Sequence, residues 1–406
     1  MEFSGFIEYD SLFLFNLLSG FIISLPLWIW ASIMTRSVLV KIVLMYGIAV
    51  YIFPFFIIKS WARYDISFDF LAIPYLFIFL YIASYSFLSK IGRKRRVCAS
   101  VVNKYNFDVQ YLRNIGFIIL IFWIFYFIIF DKYSAFFLYI QDIYSDKSVR
   151  FVFYEAPPYI QLLYALTGRF IIPCFIMYQL SYGGNFGLLS TLVLSLFVLV
   201  QSGERQNLFI LFATLIFSAF LIRNGRKRRI LIFLMMFAMV IISMGIVFKM
   251  QGNVSHAAEV GLLVIIKILF QRVILDPYIM FGEVYNIFDG IYLLGGTNKI
   301  FSFLNTDKIG WTAIGVIADA WINFGIVGIL LCPVMYSILL IYSVRMLHNI
   351  RHYKFMHSIV MLLYLISFIS IYYSNLFSLV PIFVYLFVTM IVILIKWRFD
   401  NFSRSK

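Results

Sequence analysis

Long apolar runs separated by short polar segments make up most of the chain. Several runs reach the roughly 18 to 20 residues that an α-helix needs to cross the hydrocarbon core of a membrane. They lack the polar and apolar alternation that a transmembrane β-barrel requires. The ninth run is so long that its helix must tilt, kink or protrude. The pattern predicts eleven membrane-spanning helices, at residues 11–34, 38–58, 68–88, 114–131, 159–182, 185–203, 206–222, 230–249, 313–344, 355–373 and 378–395.

Composition supports an integral membrane protein. The 406 residues are 63% hydrophobic and only 13% charged, whereas soluble domains carry about 25% charged residues. We therefore expect an all-α, polytopic membrane protein in which residues 1–406 form a single transmembrane domain. The three cysteines form no CxxC pair, so we expect no disulfide and no zinc site. The start MEFSGFIEYDS is acidic, which argues against a cleavable signal peptide and leaves insertion to the first span.

The basic residues orient these helices. They concentrate in KIGRKRR (90–96), RNGRKRR (223–229), RMLHNIRHYK (345–354) and the tail from Lys396. The positive-inside rule places these segments in the cytoplasm. The N-terminus is then outside and the C-terminus inside, and nearly all acidic residues fall on the outer side. The net charge of +15 thus suits a leaflet rich in anionic lipid and does not indicate nucleic acid.

Two predicted outer segments are longer than a turn, residues 131–158 and 250–312. The second is a large extracytoplasmic loop between spans eight and nine. Within it, VGLLVIIKILFQRVILDPY places Lys267 and Gln271 four residues apart, so that they share one helical face. Pro277 then stops or kinks this helix. An amphipathic helix in the outer interface fits this pattern better than a twelfth span.

Arginines collect on the predicted outer side. Arg205 follows span six in the stretch SGER, Arg150 precedes span five, Arg169 lies inside span five, and Arg272 is in the large loop. A charge as deep as Arg169 is costly unless it is paired or lines a wet cavity. Because guanidinium binds phosphate oxygens in a bidentate manner, the group suggests a lipid-borne phosphate or diphosphate. The alternatives are a turn stabilised by Arg205 and Glu204, and a structural pair of Arg169 with Asp319.

A second set of polar residues suits the recognition of sugar. Asp319 and Asn323 share a helical face in IGWTAIGVIADAWINFGIVGILL, where Gly315, Gly325 and Gly328 permit close helix contact. The acid could bind a sugar hydroxyl group, hold Arg169 or act as a base, or the set could be a packing seam with one satisfied polar pair. The large loop adds carboxylates, a histidine and tyrosines, of which the chief candidates are His256, Asp276, Tyr278, Glu283 and Tyr285. No acidic pair or phosphate-binding loop asks for a metal–nucleotide donor, so we expect neither a metal nor a cofactor.

The sequence resembles the Wzy-type O-antigen and capsular polysaccharide polymerases of bacterial inner membranes. Three features carry the resemblance: SGER (202–205) between closely spaced spans, the large outer loop with an arginine in its middle, and ADAWINFGIVG (318–328) at the start of a late span. Arg272 precedes Gly282 by ten residues, which only approximates the spacing of an arginine and a glycine in some members.

The resemblance implies an extracytoplasmic glycosyltransferase of the GT-C group, inverting and independent of metal. Such enzymes join undecaprenyl-diphosphate-linked oligosaccharides and release undecaprenyl diphosphate. By this resemblance, Arg205 and Arg272 contact the diphosphate. We expect Arg169 as a third contact or as a charge that lines the cavity, and Arg150 as a further substrate-binding residue. Asp276, Glu283 or Asp319 would orient the acceptor hydroxyl group. The remaining substrate-binding candidates are His256, Tyr278, Tyr285 and Asn323.

Two other functions stay open at this stage. An O-antigen ligase uses the same donor with a lipid A-core acceptor, and His256 in the large loop is compatible with it. A flippase for lipid-linked oligosaccharides would show paired halves and broken helices; no such halves are evident in the sequence. In each case we expect membrane lipid as a partner, and for the polymerase a chain-length regulator protein as well.

Overall fold

The computed structural model describes residues 11–54, 68–91, 110–134, 136, 152–182, 185–202, 315–350, 354–373 and 385–394, together with residues 208, 210–211, 214–215, 238, 243, 278, 281–282 and 284–285. Every regular element in these ranges is helical, and no strand occurs there. The helices are α1 (Ser11–Met34), α2 (Val38–Tyr51), α3 (Phe68–Ile91), α4 (Gln110–Ile129), α5 (Pro158–Leu166), α6 (Ile172–Tyr182), α7 (Asn185–Val200), α8 (Val316–Asn349), α9 (Lys354–Tyr373) and α10 (Tyr385–Leu394).

The prediction of an all-helical membrane protein is confirmed in its general form. Within the described ranges, four helical segments are long and apolar enough to cross a membrane: Phe15–Met34, Phe70–Lys90, Pro158–Tyr182 and Val316–Asn349. Large apolar side chains such as Ile33, 77% exposed, and Ile129, 67% exposed, point outward from the helices, as lipid contact requires. The total of eleven spans and the large loop stay predictions, because most of residues 203–314 lie outside the described ranges.

The chain divides into two compact units. Unit 1 comprises Met1–Cys98, Ile268–His348 and Ser367–Ile382. Unit 2 comprises Ala99–Lys267, Asn349–Ile366 and Phe383–Lys406. The expected single transmembrane domain over residues 1–406 stays a prediction.

Unit 1 packs α1, α2, α3 and α8 around apolar side chains. Gly20 of α1 lies so close to the end of α2 that a Cβ atom would be 2.1 Å from the Phe53 carbonyl oxygen. The Ser337 hydroxyl of α8 donates to the Tyr81 carbonyl of α3 at 2.9 Å. A buried hydroxyl that satisfies a backbone carbonyl between helices stabilises their contact where no water reaches.

Unit 2 packs α4 against α5, α6 and α7. The ring of Phe175 on α6 packs directly against Gly116 of α4. A Cβ atom on Gly116 would be only 2.6 Å from that ring. The Trp123 indole N–H of α4 donates to Thr167 Oγ1 at 2.9 Å, and this tryptophan is only 1% exposed. The buried indole thus has the polar partner that its burial requires.

Helix α8 is broken by a chain reversal at Gly325, whose φ of 57° and ψ of −141° are not helical. A Cβ atom on Gly328 would be 2.4 Å from the Ala320 carbonyl oxygen, although a straight helix would separate these residues by about 12 Å. The segments on either side therefore fold against each other. We name residues 316–324 the short arm and residues 326–349 the long arm. The long arm alone reaches about 36 Å, enough to cross a membrane.

The length of the ninth predicted span left a tilt, a kink or a protrusion open, and the structure has a kink, at Gly325. It also refines the predicted role of the glycines. Gly328 does provide close contact, but Gly315 and Gly325 adopt positive φ angles of 79° and 57°, a backbone conformation that costs most other residues energy. The short arm is thus bounded at both ends by glycines in this conformation.

Candidate functional site

Arg169 of unit 2 lies on a π-turn, Thr167–Ile171, inserted between α5 and α6. The Ile172 N–H bonds to the Thr167 carbonyl, five residues back. Pro173 explains the wide turn: it has no N–H for the Arg169 carbonyl, and its ring would clash with that carbonyl in a regular α-helix. The break therefore falls at the arginine. Such π-turns frequently occur at functional sites.

Arg169 is buried within Pro158–Tyr182, a segment long and apolar enough to cross a membrane. Its side chain is 8% exposed, and the preceding Thr167 hydroxyl donates to the Leu163 carbonyl at 2.9 Å. This bond and the Trp123 indole fix the start of the π-turn. A guanidinium fixed in such a place can stabilise negative charge much more strongly than in water.

The end of α7 in unit 2 carries polar side chains that the sequence pattern did not single out. The Tyr164 hydroxyl donates to the Val198 carbonyl at 2.7 Å, which caps the last turn of α7. Gln201 is completely buried and accepts a hydrogen bond from the Ser134 hydroxyl. Within the described residues Gln201 Nε2 has no hydrogen-bond partner. These contacts fix the chain immediately before the SGER arginine.

Asp319 and Asn323 of unit 1 lie together on the short arm, as their spacing predicted. The Asn323 amide donates to the Asp319 carboxylate at 3.0 Å and to the Asp319 carbonyl at 2.9 Å. Both side chains are 1% exposed. The short arm therefore holds one buried carboxylate that is hydrogen-bonded to one buried amide. This arrangement is compatible with either predicted role, a polar site or a packing seam.

Tyr51 holds the beginning of the short arm. The Val316 backbone N–H donates to the Tyr51 hydroxyl at 3.1 Å, and the Ile317 N–H bonds to the same oxygen. A phenol of α2 thus satisfies two of the N–H groups that a helix leaves unpaired at its start. Sequence reasoning missed this residue, since a tyrosine in an apolar run carries no sign of such a distant partner.

Tyrosines of the predicted large loop take part in an aromatic cluster of unit 1. Phe70 of α3 packs against Tyr278, Phe281 and Tyr285, with ring centroids 5.2, 4.8 and 5.5 Å away. Trp321 of the short arm contacts Tyr285 at 5.4 Å. The Tyr278 ring is completely buried, and burial raises the pKa of its phenol. Tyr285 and Trp321 are half-buried, so ligand contact suits these two better than Tyr278.

The remaining predicted site residues lie outside the described residues. These are Arg150, Arg205, His256, Arg272, Asp276 and Glu283. Of the predicted residues that are described, Asp319, Asn323, Tyr278 and Tyr285 belong to unit 1, and Arg169 belongs to unit 2. The alternative pairing of Arg169 with Asp319 stays a prediction. In the described part of the chain, no group of three or more His, Cys, Asp or Glu side chains could hold a metal ion.

Comparison of the chain with protein-family models, with curated proteins and with solved structures gave no match.

Proposed function

We propose that the protein is a surface-polysaccharide polymerase of the O-antigen type, an extracytoplasmic glycosyltransferase in a bacterial inner membrane. It joins oligosaccharide repeat units carried on undecaprenyl diphosphate and releases undecaprenyl diphosphate. The large outer loop and the eleven-span topology, with the N-terminus outside, belong to this proposal. The motifs SGER and ADAWINFGIVG provide its sequence support.

The observation that carries the proposal is the buried Arg169 on its π-turn. Departure of a lipid diphosphate concentrates negative charge on phosphate oxygens. A guanidinium that is already positioned in a site of low polarity stabilises that charge without reorganising at the moment of reaction. A structural scaffold would not require an arginine within a membrane-spanning helix.

In this proposal the predicted site residues have two roles. Arg169 acts with Arg205 and Arg272 on the diphosphate. Asp276, Glu283 or Asp319 orients the acceptor hydroxyl group, and Asn323 contacts the substrate. Holding both glycans in line lowers the barrier further through proximity.

The test is the length of the surface glycan in a deletion strain that carries variants of this gene. Arg169→Ala should reduce the yield of polymer by about a hundredfold, in the range seen when one donor to a developing oxyanion is removed. Arg169→Lys should rescue only part of it, because lysine lacks the planar fork. Arg113→Ala is the matched control, since Arg113 is exposed on α4; it should leave the polymer unchanged.

The same strain separates the alternatives. Lipopolysaccharide with a single repeat unit supports the polymerase, and core-only lipopolysaccharide indicates a ligase. Accumulation of lipid-linked repeat units on the cytoplasmic side indicates a flippase. The flippase has one structural observation in its favour, the break of α8 at Gly325, because broken helices frequently form transporter sites. Unchanged surface glycan in the deletion strain would rule out all three functions.

A further inference from the structure

We propose that Trp321 and Tyr285 form a carbohydrate-binding platform in unit 1, one that takes a pyranose ring of the acceptor glycan. The proposal rests on the proposed function for the identity of that glycan, and on the geometry of the two rings for the site itself. Their centroids are 5.4 Å apart with 41° between the ring planes. Both residues are half-buried, so each keeps some surface that a ligand can contact.

The two rings are held in place by buried neighbours, Tyr285 by two phenylalanines and Trp321 by the fixed short arm. Phe70 is 1% exposed and Phe281 is fully buried, and their centroids lie 5.5 and 5.9 Å from that of Tyr285. On the other side, the short arm that carries Trp321 is held by the Tyr51 hydroxyl at its start and by Gly328 near its end. A surface fixed in this way loses little conformational entropy when a ligand binds.

Trp321 lies on the accessible face of the short arm. From Val316 to Asn323 it is the one residue that is not buried, and Phe324, three residues later, is half-buried. The carboxylate of Asp319 is two residues away and lies on the buried side. The helix thus presents an aromatic ring outward while its polar pair points inward.

The polar atoms of the pair favour a glycan over a lipid chain. Among the described residues, neither the Trp321 indole N–H nor the Tyr285 hydroxyl has a hydrogen-bond partner. By contrast, the buried Trp123 donates to Thr167. A flat apolar face with one donor at its edge matches a sugar, which has apolar C–H faces and hydroxyl groups at the rim. Acyl chains need no such donor.

The binding experiment uses the full-length protein in nanodiscs. The ligand is the oligosaccharide repeat unit of the native strain, purified on its lipid carrier and then released from that carrier by mild acid. Binding is followed by saturation-transfer NMR. Trp321→Leu should weaken binding about tenfold, since it removes the stacked ring, and Tyr285→Leu should act similarly. Trp321→Phe, which keeps an aromatic ring, should weaken it about threefold and guards against misfolding of the leucine variant.

Trp30→Leu is the matched control. Trp30 is also half-buried in unit 1, and it contacts Phe79 with centroids 5.3 Å apart and 50° between planes. This variant should bind the oligosaccharide as the unaltered protein does. Equal binding by Trp321→Leu and the unaltered protein overturns the platform, as does equal loss in Trp321→Leu and Trp30→Leu, which would indicate general interfacial anchoring.

The in vivo readout separates failure of the platform from failure of the proposed function. Shortened surface glycan in both the deletion strain and the Trp321→Leu strain supports both proposals. Shortening in the deletion strain alone refutes the platform and leaves the polymerase standing. Glycan binding that depends on Trp321, in a protein whose deletion leaves surface glycan unchanged, supports the platform and refutes the polymerase.

Discussion

Individual polar side chains in this protein satisfy backbone groups on helices far away in the sequence. The Tyr51 hydroxyl caps the short arm, the Tyr164 hydroxyl caps α7, and the Ser337 hydroxyl bonds to α3. Without water in the membrane core, a helix end that lacks a partner is costly. The Tyr51 and Tyr164 hydroxyl groups therefore stabilise helix ends, and the Ser337 hydroxyl group stabilises the contact between α8 and the middle of α3.

Removal of one such hydroxyl group should weaken the fold measurably. Tyr51→Phe keeps the ring and deletes the acceptor of the Val316 N–H. We expect the free energy of unfolding to fall by about 1 kcal/mol, the usual effect of losing a helix N-cap. Unfolding titrations with denaturing detergent would measure it. Tyr342→Phe serves as the control, because Tyr342 is 38% exposed; an equal effect in both variants would contradict the capping role.

At the scale of the element, two irregularities in the described helices each have a specific residue as their cause. Pro173 accounts for the π-turn, and the positive φ of Gly325 accounts for the reversal in α8. Both irregularities lie next to predicted site residues, Arg169 in one case and Asn323 in the other.

Closing the space at Gly328 should open the reversal. The Cβ of Gly328→Ala would be 2.4 Å from the Ala320 carbonyl oxygen, a backbone atom that cannot rotate away. We expect a loss of about 1–3 kcal/mol in the free energy of unfolding, as in overpacked cores. Gly187→Ala provides the comparison, because its Cβ would meet only the end of the Gln179 side chain, at 3.0 Å. Equal stability of the two variants would show that the arms do not pack this closely.

Straightening the π-turn should affect activity more than stability. Pro173→Ala restores an N–H for the Arg169 carbonyl and removes the ring that prevents α-helical winding there. Because the arginine side chain would then turn away from its position, surface glycan should shorten about as much as with Arg169→Ala, while the protein stays folded in a thermal assay. Pro26→Ala in α1 is the control. Full-length glycan in the Pro173→Ala strain would refute a positioning role for the π-turn.

The helices themselves could be predicted from the apolar runs because lipid imposes both length and composition on a span. The predicted start and end at residues 11 and 34 coincide with α1, and the Asp319–Asn323 pair followed from helical spacing. The cap by Tyr51 joins residues 265 positions apart, and the contact of Trp321 joins it to Tyr285 of another helix. Neither could be predicted, because both depend on tertiary packing alone.

At the scale of the whole molecule, charge asymmetry predicts an orientation. The predicted outer side includes Lys132, and the predicted cytoplasmic side includes His348; both are exposed. In a background without the three native cysteines, Lys132→Cys should react with an impermeant maleimide in intact spheroplasts, and His348→Cys should react only after permeabilisation. The reverse pattern would place the C-terminus outside and contradict the predicted topology.

Tyr51 and Val316, whose backbone N–H donates a hydrogen bond to the Tyr51 hydroxyl group, are separated by 265 positions in the sequence. Translation proceeds from the N-terminus, so α2 is made and inserted long before the ribosome reaches α8. Unit 1 therefore cannot finish assembling until most of the polypeptide has been synthesised. Contacts between residues so far apart in the sequence favour slow maturation of the fold. This separation also implies that a chain released early from the ribosome would lack this hydrogen bond and the helix α8 that provides it. Such a chain would be susceptible to quality-control proteases.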